Sequence, residues 1–225
     1  MMVVNLWNVD LDAAEPSGSW QSWVDPEEHR QSRTFANPRD SQRFLARRAA
    51  RRFLVASELG QPFHEVRFER GLHGKPLLAG TAPEVHFNAS HSAGRALIAV
   101  GRSGPVGIDL ERQVNLGDDL DRVRAALAPS EQTALSTVPP EERALAFFAV
   151  WTRKEAVLKA AGFGLRRPLN SFAVPVSINA PPQWVWLGSD SAPWWVQTLE
   201  VEPGFSAALA TPAEVRLVWN RFAFP

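Results

Sequence analysis

The chain has 225 residues, enough for one large domain or two small ones around a sizeable core. Lys and Arg total 24 and Asp and Glu total 24, so net charge by itself selects neither nucleic acid nor a membrane surface as partner. The absence of cysteine excludes disulfides, thiolate metal centres and cysteine nucleophiles.

The start, MMVVNLWNVDLDAAEP, lacks the basic-then-apolar order of a signal peptide. No apolar run reaches the ~18 residues of a membrane span. Together with the missing cysteine, this sets a cytoplasmic expectation. Residues 3–9 alternate as a first strand. Asp25 is an N-cap candidate with Pro26 at the first helical position. Residues 38–60 read as a long helix with Phe44, Leu45, Ala49, Phe53 and Leu54 as its apolar stripe and Gly60 as its stop. A short strand follows at 66–70, a turn-rich loop at 71–80, strands at 85–92 and 95–101, and another at 103–111. The second half repeats the order loosely. Helices are expected at 117–127 and 129–136 and a long one over 140–162. Short strands are expected near 172–176, 184–187, 194–200 and 205–210, and a last one at 214–220. Strands 96–100 and 205–211 match in this scheme. The expectation is an α+β protein of two similar halves joined near 102–105, each a long helix on a small antiparallel sheet. Four of the nine tryptophans fall in QWVWLGSDSAPWWVQ, where alternation points to strand packing.

From Arg30 to Arg52 eight arginines stand against one acid, Asp40. Such a run suits phosphates or an acidic protein surface, or is simply a solvated helix face. In PVGIDLERQ, Asp109 and Glu111 share one face of a mostly apolar strand. In FFAVWTRKEAVLKAAGFGL, Trp151, Glu155 and Lys159 recur at i, i+4 and i+8, which puts Glu155 at the edge of an apolar stripe. Glu155 either pairs with Lys159 one turn on or joins Asp109 and Glu111 around a cation. Oxygen-only ligands suit Mg²⁺, which often shares its site with substrate phosphates. In HFNASHSAGR, Ser90, His91 and Ser92 form either a polar turn or a phosphate contact. A hydrolase reading of the Ser-His pair lacks a G-x-S-x-G turn. Lys75 sits in HGKP, where a lone loop lysine is ordinarily just solvated.

GKPLL, FNASHS, VGIDLE and the W-x-x-K-E-A-x-x-K helix occur in this order across residues 74–165. The series resembles the 4′-phosphopantetheinyl transferases, in particular the larger monomeric type that activates nonribosomal peptide and polyketide synthases. The resemblance implies a pseudo-dimer of two α+β halves, residues 1–103 and 104–225, with the active site in the cleft between them. It implies transfer of the 4′-phosphopantetheine arm of coenzyme A to a serine of an apo acyl or peptidyl carrier protein, releasing adenosine 3′,5′-bisphosphate. By motif position it implies Asp109, Glu111 and Glu155 as the Mg²⁺ site, Glu155 as the base and Lys159 at the phosphates. Lys75, Ser90, His91, Arg43 and Arg47 are implied contacts for coenzyme A, with Arg30 and Arg33 as weaker ones. Phe44 departs from the family pattern, standing where a small polar residue would make another phosphate contact. Residues 113–128 are expected to form part of the carrier surface, and the thiol end of the coenzyme to project into solvent.

Two rivals differ in class. A nucleic-acid binder or metal nuclease would want a basic domain or aromatics interleaved with charge, and the balanced totals and absence of tyrosine oppose it. A non-catalytic coenzyme A or carrier-protein binding module would bind without transfer.

Overall fold

Alternation over β1 (Met2–Asp10) sends Met2, Val4 and Leu6 into one core and Trp7 and Val9 into another. That split sets the architecture, seen here in a computed structural model that describes residues 1–71, 76–80, 84–117 and 119–225. The first half continues with α1 (Pro26–Ser32), α2 (Pro38–Leu59), β2 (Phe68–Arg70), β3 (Pro76–Leu78), β4 (Val85–Ser92) and β5 (Arg95–Arg102). The second contributes β6 (Gly107–Arg112), α3 (Asp119–Arg124), α4 (Pro129–Thr137), α5 (Arg143–Ala161), β7 (Gln183–Val185), β8 (Trp194–Thr198), β9 (Phe205–Thr211) and β10 (Val215–Arg221).

One four-stranded sheet has the order β10-β1-β5-β4 and the other β6-β9-β8-β7. The sub-orders β1-β5-β4 and β6-β9-β8 correspond, and in each half the long helix follows the first strand, so β5 and β9 are equivalent. The layers run α2, first sheet, second sheet, α5. Ala46, Ala49, Ala50 and Leu54 of α2 pack on Trp7, Val9, Ala96 and Ile98. The opposite face of that sheet meets Ile108, Leu110, Ala207 and Leu209. The far side of the second sheet, with Val196, Ala208 and Ala210, is covered by Phe147, Val150 and Val157 of α5. β10 is a crossover: it leaves the second half and pairs in parallel with β1. Phe222 and Phe224 just beyond it reach the aromatic cluster of Trp20, Trp23 and Phe53.

Local signals explain the helix ends. Asp25 caps α1 with Pro26 next, and the Glu28 side chain accepts from the Asp25 N–H. The Asn37 side chain accepts from the Arg39 N–H to open α2, and Gly60, at φ 68°, closes it. Two expectations need correction. Phe53 is 37% exposed, because it stacks on Trp23 at the surface instead of entering the core. Residues 172–176 form no strand. Phe172 and Val174 are buried, but their backbone is bonded by side chains of α4 and α5 rather than by a neighbouring strand.

Gly107 positions everything that follows. A Cβ there would fall inside the van der Waals contact of Ala156 O and Ala160 N, so α5 lies directly on β6. Gly107→Ala should therefore push the helix off the strand. The obstacle is backbone and cannot swing aside, so a loss of about 3 kcal/mol, the upper end for overpacking, is expected in urea denaturation. An unchanged midpoint would show that the contact is slack.

Candidate active site

β4 and β6 are edge strands lying side by side where the two sheets meet. Side chains, not backbone ladders, join them here. Asn88 Oδ1 accepts from Ile108 N at 2.9 Å. Ser90 Oγ donates to Asp109 Oδ1 at 2.9 Å. Ser92 Oγ donates to Glu111 Oε2 at 2.9 Å and accepts from Arg112 N at 3.0 Å. Asn88, Ser90 and Ser92 share a pleat, so the period of two in FNASHS is a polar ladder laid against the acidic strand. The sequence marks Ser90 and Ser92 as a polar turn or a phosphate contact; both instead lie in β4 and bond to β6, and Asn88, to which the sequence gave no role, belongs to the same ladder.

α5 supplies the third side of the site. Lys159 Nζ donates to Asp109 Oδ1 at 2.5 Å and to Ser90 Oγ at 3.0 Å. Asp109 is only 2% exposed, and its Oδ2 has no hydrogen-bond partner. Burial first, then the Asp109 charge, pushes the Glu155 carboxyl above its usual range, with Lys159 opposing and Glu111 adding to the rise. Glu111 is raised by burial and then by Asp109, against the Ser92 hydrogen bond, the Lys159 charge and the Trp151 hydrogen bond. The three acids thus share one field. They do not converge into a ready-made coordination set: among the described residues no group of three or more His, Cys, Asp or Glu side chains is placed to hold a metal ion. Lys159 supplies positive charge there.

These raised values have a consequence for stability. A carboxyl whose folded pKa lies above its unfolded value gives the folded state stability that is full below the unfolded pKa, about 4.3, and lost as pH rises through the folded pKa. Glu155→Gln removes that loss. The variant should melt a few degrees above the native protein at pH 7.5, with the difference closing near pH 4. Equal melting temperatures at both pH values would show that Glu155 feels no strain from its neighbours.

The arginine run folds inward. Arg51 and Arg52 are buried and Phe68 lies beneath them, the Arg51 guanidinium 4.2 Å from its ring. Glu28 accepts from Arg51 at 3.2 Å and from Arg52 at 3.0 Å, and Asp25 also accepts from Arg52. Arg43 spends its Nε and Nη2 on Asp12, both at 2.7 Å, and Arg39 grips the same carboxylate. The two arginines hold the Asp12 carboxyl far below the usual range. Arg47 Nη1 lies 3.1 Å from His91 Nδ1. Phe44 is buried against Phe35, with the Arg48 guanidinium 4.9 Å from its ring, so the non-polar departure at this position orients arginines. Arg30 is exposed and pairs with Glu27, and Arg33 is exposed; neither lines the clefts below. Lys75 lies outside the described residues.

Three clefts adjoin these groups. The first, about 510 Å³, is lined by Arg47, Arg48, Arg51 and Arg52 and by the acids Asp25, Glu27, Glu28 and Glu69, with Phe68 and Pro76 among others. The second, about 400 Å³, is lined by Phe35, Asp40, Arg43, Phe44, Arg47, His91, Ser92 and Ala93. The third, about 460 Å³ and mostly apolar, includes Ser92, Ala93, Glu111, Val114, Leu116, Val123, Phe147, Phe148 and Trp151. Arg47 is common to the first two, and Ser92 and Ala93 to the last two. A path therefore runs from four arginines past His91 to an acidic corner and an apolar groove. Arg51 and Arg52 are engaged by Glu28 and Asp25, so an anionic group of an elongated ligand would be met chiefly by Arg47 beside His91.

One further pair escaped the sequence reading. Lys154, next to Glu155, is 0% exposed and bonds Glu131 Oε1 at 2.6 Å and the Phe172 carbonyl. Glu131, 1% exposed, accepts in turn from Val174 N at 2.7 Å and Ala128 N at 2.8 Å. The signal available was a lysine on the apolar face of α5, which has to find a buried anion.

Comparison with known proteins finds matches over both halves of the chain. Residues 105–211 match the family model described as the 4′-phosphopantetheinyl transferase superfamily. Residues 17–102 match that of the 4′-phosphopantetheinyl transferase N-terminal region. The 4′-phosphopantetheinyl transferase Sfp of Bacillus subtilis is 29% identical over 195 residues, covering 87% of this chain and 85% of that protein. The 4′-phosphopantetheinyl transferase HetI of Nostoc is 31% identical over 192 residues, 80% of each chain. The L-aminoadipate-semialdehyde dehydrogenase-phosphopantetheinyl transferase of mouse is 30% identical over 152 residues, 63% of this chain and 49% of that protein.

Proposed function

Since the chain belongs to the 4′-phosphopantetheinyl transferase superfamily, we propose that it performs the family's transfer at the seam of β4, β6 and α5. The protein is an enzyme that moves phosphopantetheine from coenzyme A to a carrier protein. The observation that carries the site reading is the acidic corner at the junction of an arginine-lined path and an apolar groove. The arms of the reading follow the two halves. Residues 1–103 supply the arginines and His91, and residues 104–225 supply the acids and Lys159.

The reaction joins the serine oxygen to the β-phosphorus of coenzyme A. It breaks the bond from that phosphorus to the bridging oxygen, and adenosine 3′,5′-bisphosphate leaves with the electron pair. Positioning and charge neutralisation dominate such chemistry. Glu155, its carboxyl raised by burial and by Asp109, is the group to take the serine proton, directly or through a water. Lys159, on Asp109 and Ser90, stands ready to neutralise charge on the leaving oxygen. Asp109, Glu111 and Glu155 would hold Mg²⁺. The unpartnered Asp109 Oδ2 and the mutual repulsion of three oxygen-donor acids both fit a hard cation. Bound there, the ion would supply charge neutralisation at the pyrophosphate.

Arg47, Ser90 and His91 are the proposed coenzyme A contacts, with Arg43 lining the same cleft; Lys75 is proposed from its motif position alone. Arg43 must share or exchange its bond to Asp12 to serve. The apolar groove, whose Val114, Leu116 and Val123 belong to the expected segment 113–128, is the proposed dock for the carrier helix, next to Glu111. A nucleic-acid reading is disfavoured because Arg39, Arg43, Arg51 and Arg52 are turned onto Asp12, Asp25 and Glu28. Among the described residues no helix is long and apolar enough to cross a membrane. A monomer acting in the cytoplasm is the corresponding proposal. Incubation with apo carrier, coenzyme A and Mg²⁺ should raise the carrier's mass by one phosphopantetheine group. Binding of coenzyme A with no gain across several apo carriers would favour the binding-module alternative.

A further inference from the structure

His91 sits on β4 between Ser90 and Ser92, and alternation turns it from the β6 ladder toward α2. There Arg47 Nη1 meets its Nδ1 at 3.1 Å. A guanidinium has only donors and stays charged at neutral pH, even though burial brings Arg47 down to about 10. Its bond therefore needs a lone pair on Nδ1, which an imidazolium lacks and which places the ring proton of the neutral form on Nε2. The charged groups around the ring are Arg47 and Arg48 of α2 and Lys159 of α5, with Arg43 and Asp40 lining the same cleft; Ala96, its partner on β5, carries no charge.

We propose that Arg47 is a positioning residue that locks His91 as a neutral Nε2–H donor, so the cleft offers an anionic oxygen a fixed neutral donor beside a permanent cation. The inference rests on the reading of this cleft as a coenzyme A phosphate site. It has two consequences for the reaction. The grip on phosphate does not vary through protonation of His91, because burial first and then the Arg47, Lys159 and Arg48 charges push the imidazole down to about 4. His91 is also withdrawn from base chemistry: its one lone pair is already occupied by Arg47, which leaves the serine proton to Glu155.

The test is ¹⁵N NMR of the imidazole nitrogens in the full-length protein without coenzyme A, on the native chain and on Arg47→Gln and Arg47→Lys. The native His91 should show a protonated Nε2 and a bare Nδ1 from pH 5.5 to 8 with no titration. In Arg47→Gln it should titrate with a midpoint moved toward the ordinary ~6.5. Arg47→Lys, which keeps a cationic donor, should restore the native pattern at least in part. Native His91 titrating in this range, or protonated on Nδ1, overturns the proposal, as does an unchanged spectrum in Arg47→Gln. A second arm measures coenzyme A affinity, expected to fall about tenfold in Arg47→Gln at pH 8 through loss of a charge-assisted contact. A low-pH recovery should appear that His91→Gln/Arg47→Gln lacks. If the spectra behave as expected but neither Arg47→Gln nor His91→Gln alters coenzyme A affinity, the lock is upheld and the phosphate-site reading falls instead.

Discussion

Glu155→Gln should lower the transfer rate by about 10³-fold or more while coenzyme A still binds. A positioned base contributes roughly 10²–10⁴, and the same substitution removes one of three acids in the proposed cation site. The amide keeps the volume of the carboxylate, so the arginine-lined path on the other side of β4 is left intact. The measurement is a time course of carrier mass beside a coenzyme A titration. Retention of more than about a tenth of the native rate would assign the serine proton to another group. Loss of rate together with loss of coenzyme A binding would mean that the corner holds the substrate rather than acting on it.

The second large effect is on stability. Lys154→Met should cost about 3–5 kcal/mol, because it leaves Glu131 buried and charged without its cation. Glu131 also holds the N–H groups of Ala128 and Val174, so its loss would loosen α4 and the 172–176 segment at once. The apolar pair Glu131→Leu/Lys154→Met should recover much of the single-variant loss, since both charges and their desolvation cost vanish together. Urea denaturation of the singles and the double decides this. A single variant within about 1 kcal/mol of native would show that solvent reaches the pair. Because Lys154 precedes Glu155 on α5, the pair also fixes how that helix presents Glu155 and Lys159, which couples this stability to the proposed site.

What could be read from the residues alone follows from how local each signal is. The alternation of β1, the Asp25 cap and the glycine stops at 60 and 162 are set by neighbours in sequence, and the structure agrees. Asp109 and Glu111 were readable as a same-face pair because strand geometry leaves no choice. That Lys159 reaches Asp109 depends on Gly107, whose role is visible only when α5 is laid on β6. Three features were not legible for the same reason. The parallel return of β10 to β1 joins residues more than two hundred positions apart. The 172–176 segment has the pattern of a strand, but Lys154 and Glu131 replace its strand partner. The arginine run read as an open basic face because its counterions, Asp12, Asp25 and Glu28, lie on segments earlier in the chain.

Diffraction at the manganese edge, from crystals grown with coenzyme A and Mn²⁺ in place of Mg²⁺, tests the central claim most directly. One anomalous peak is expected within coordination distance of Asp109 Oδ2, with Glu111 and Glu155 as the other acids nearest to it. A peak elsewhere, or coenzyme A ordered in the cleft with no metal beside Asp109, would contradict it.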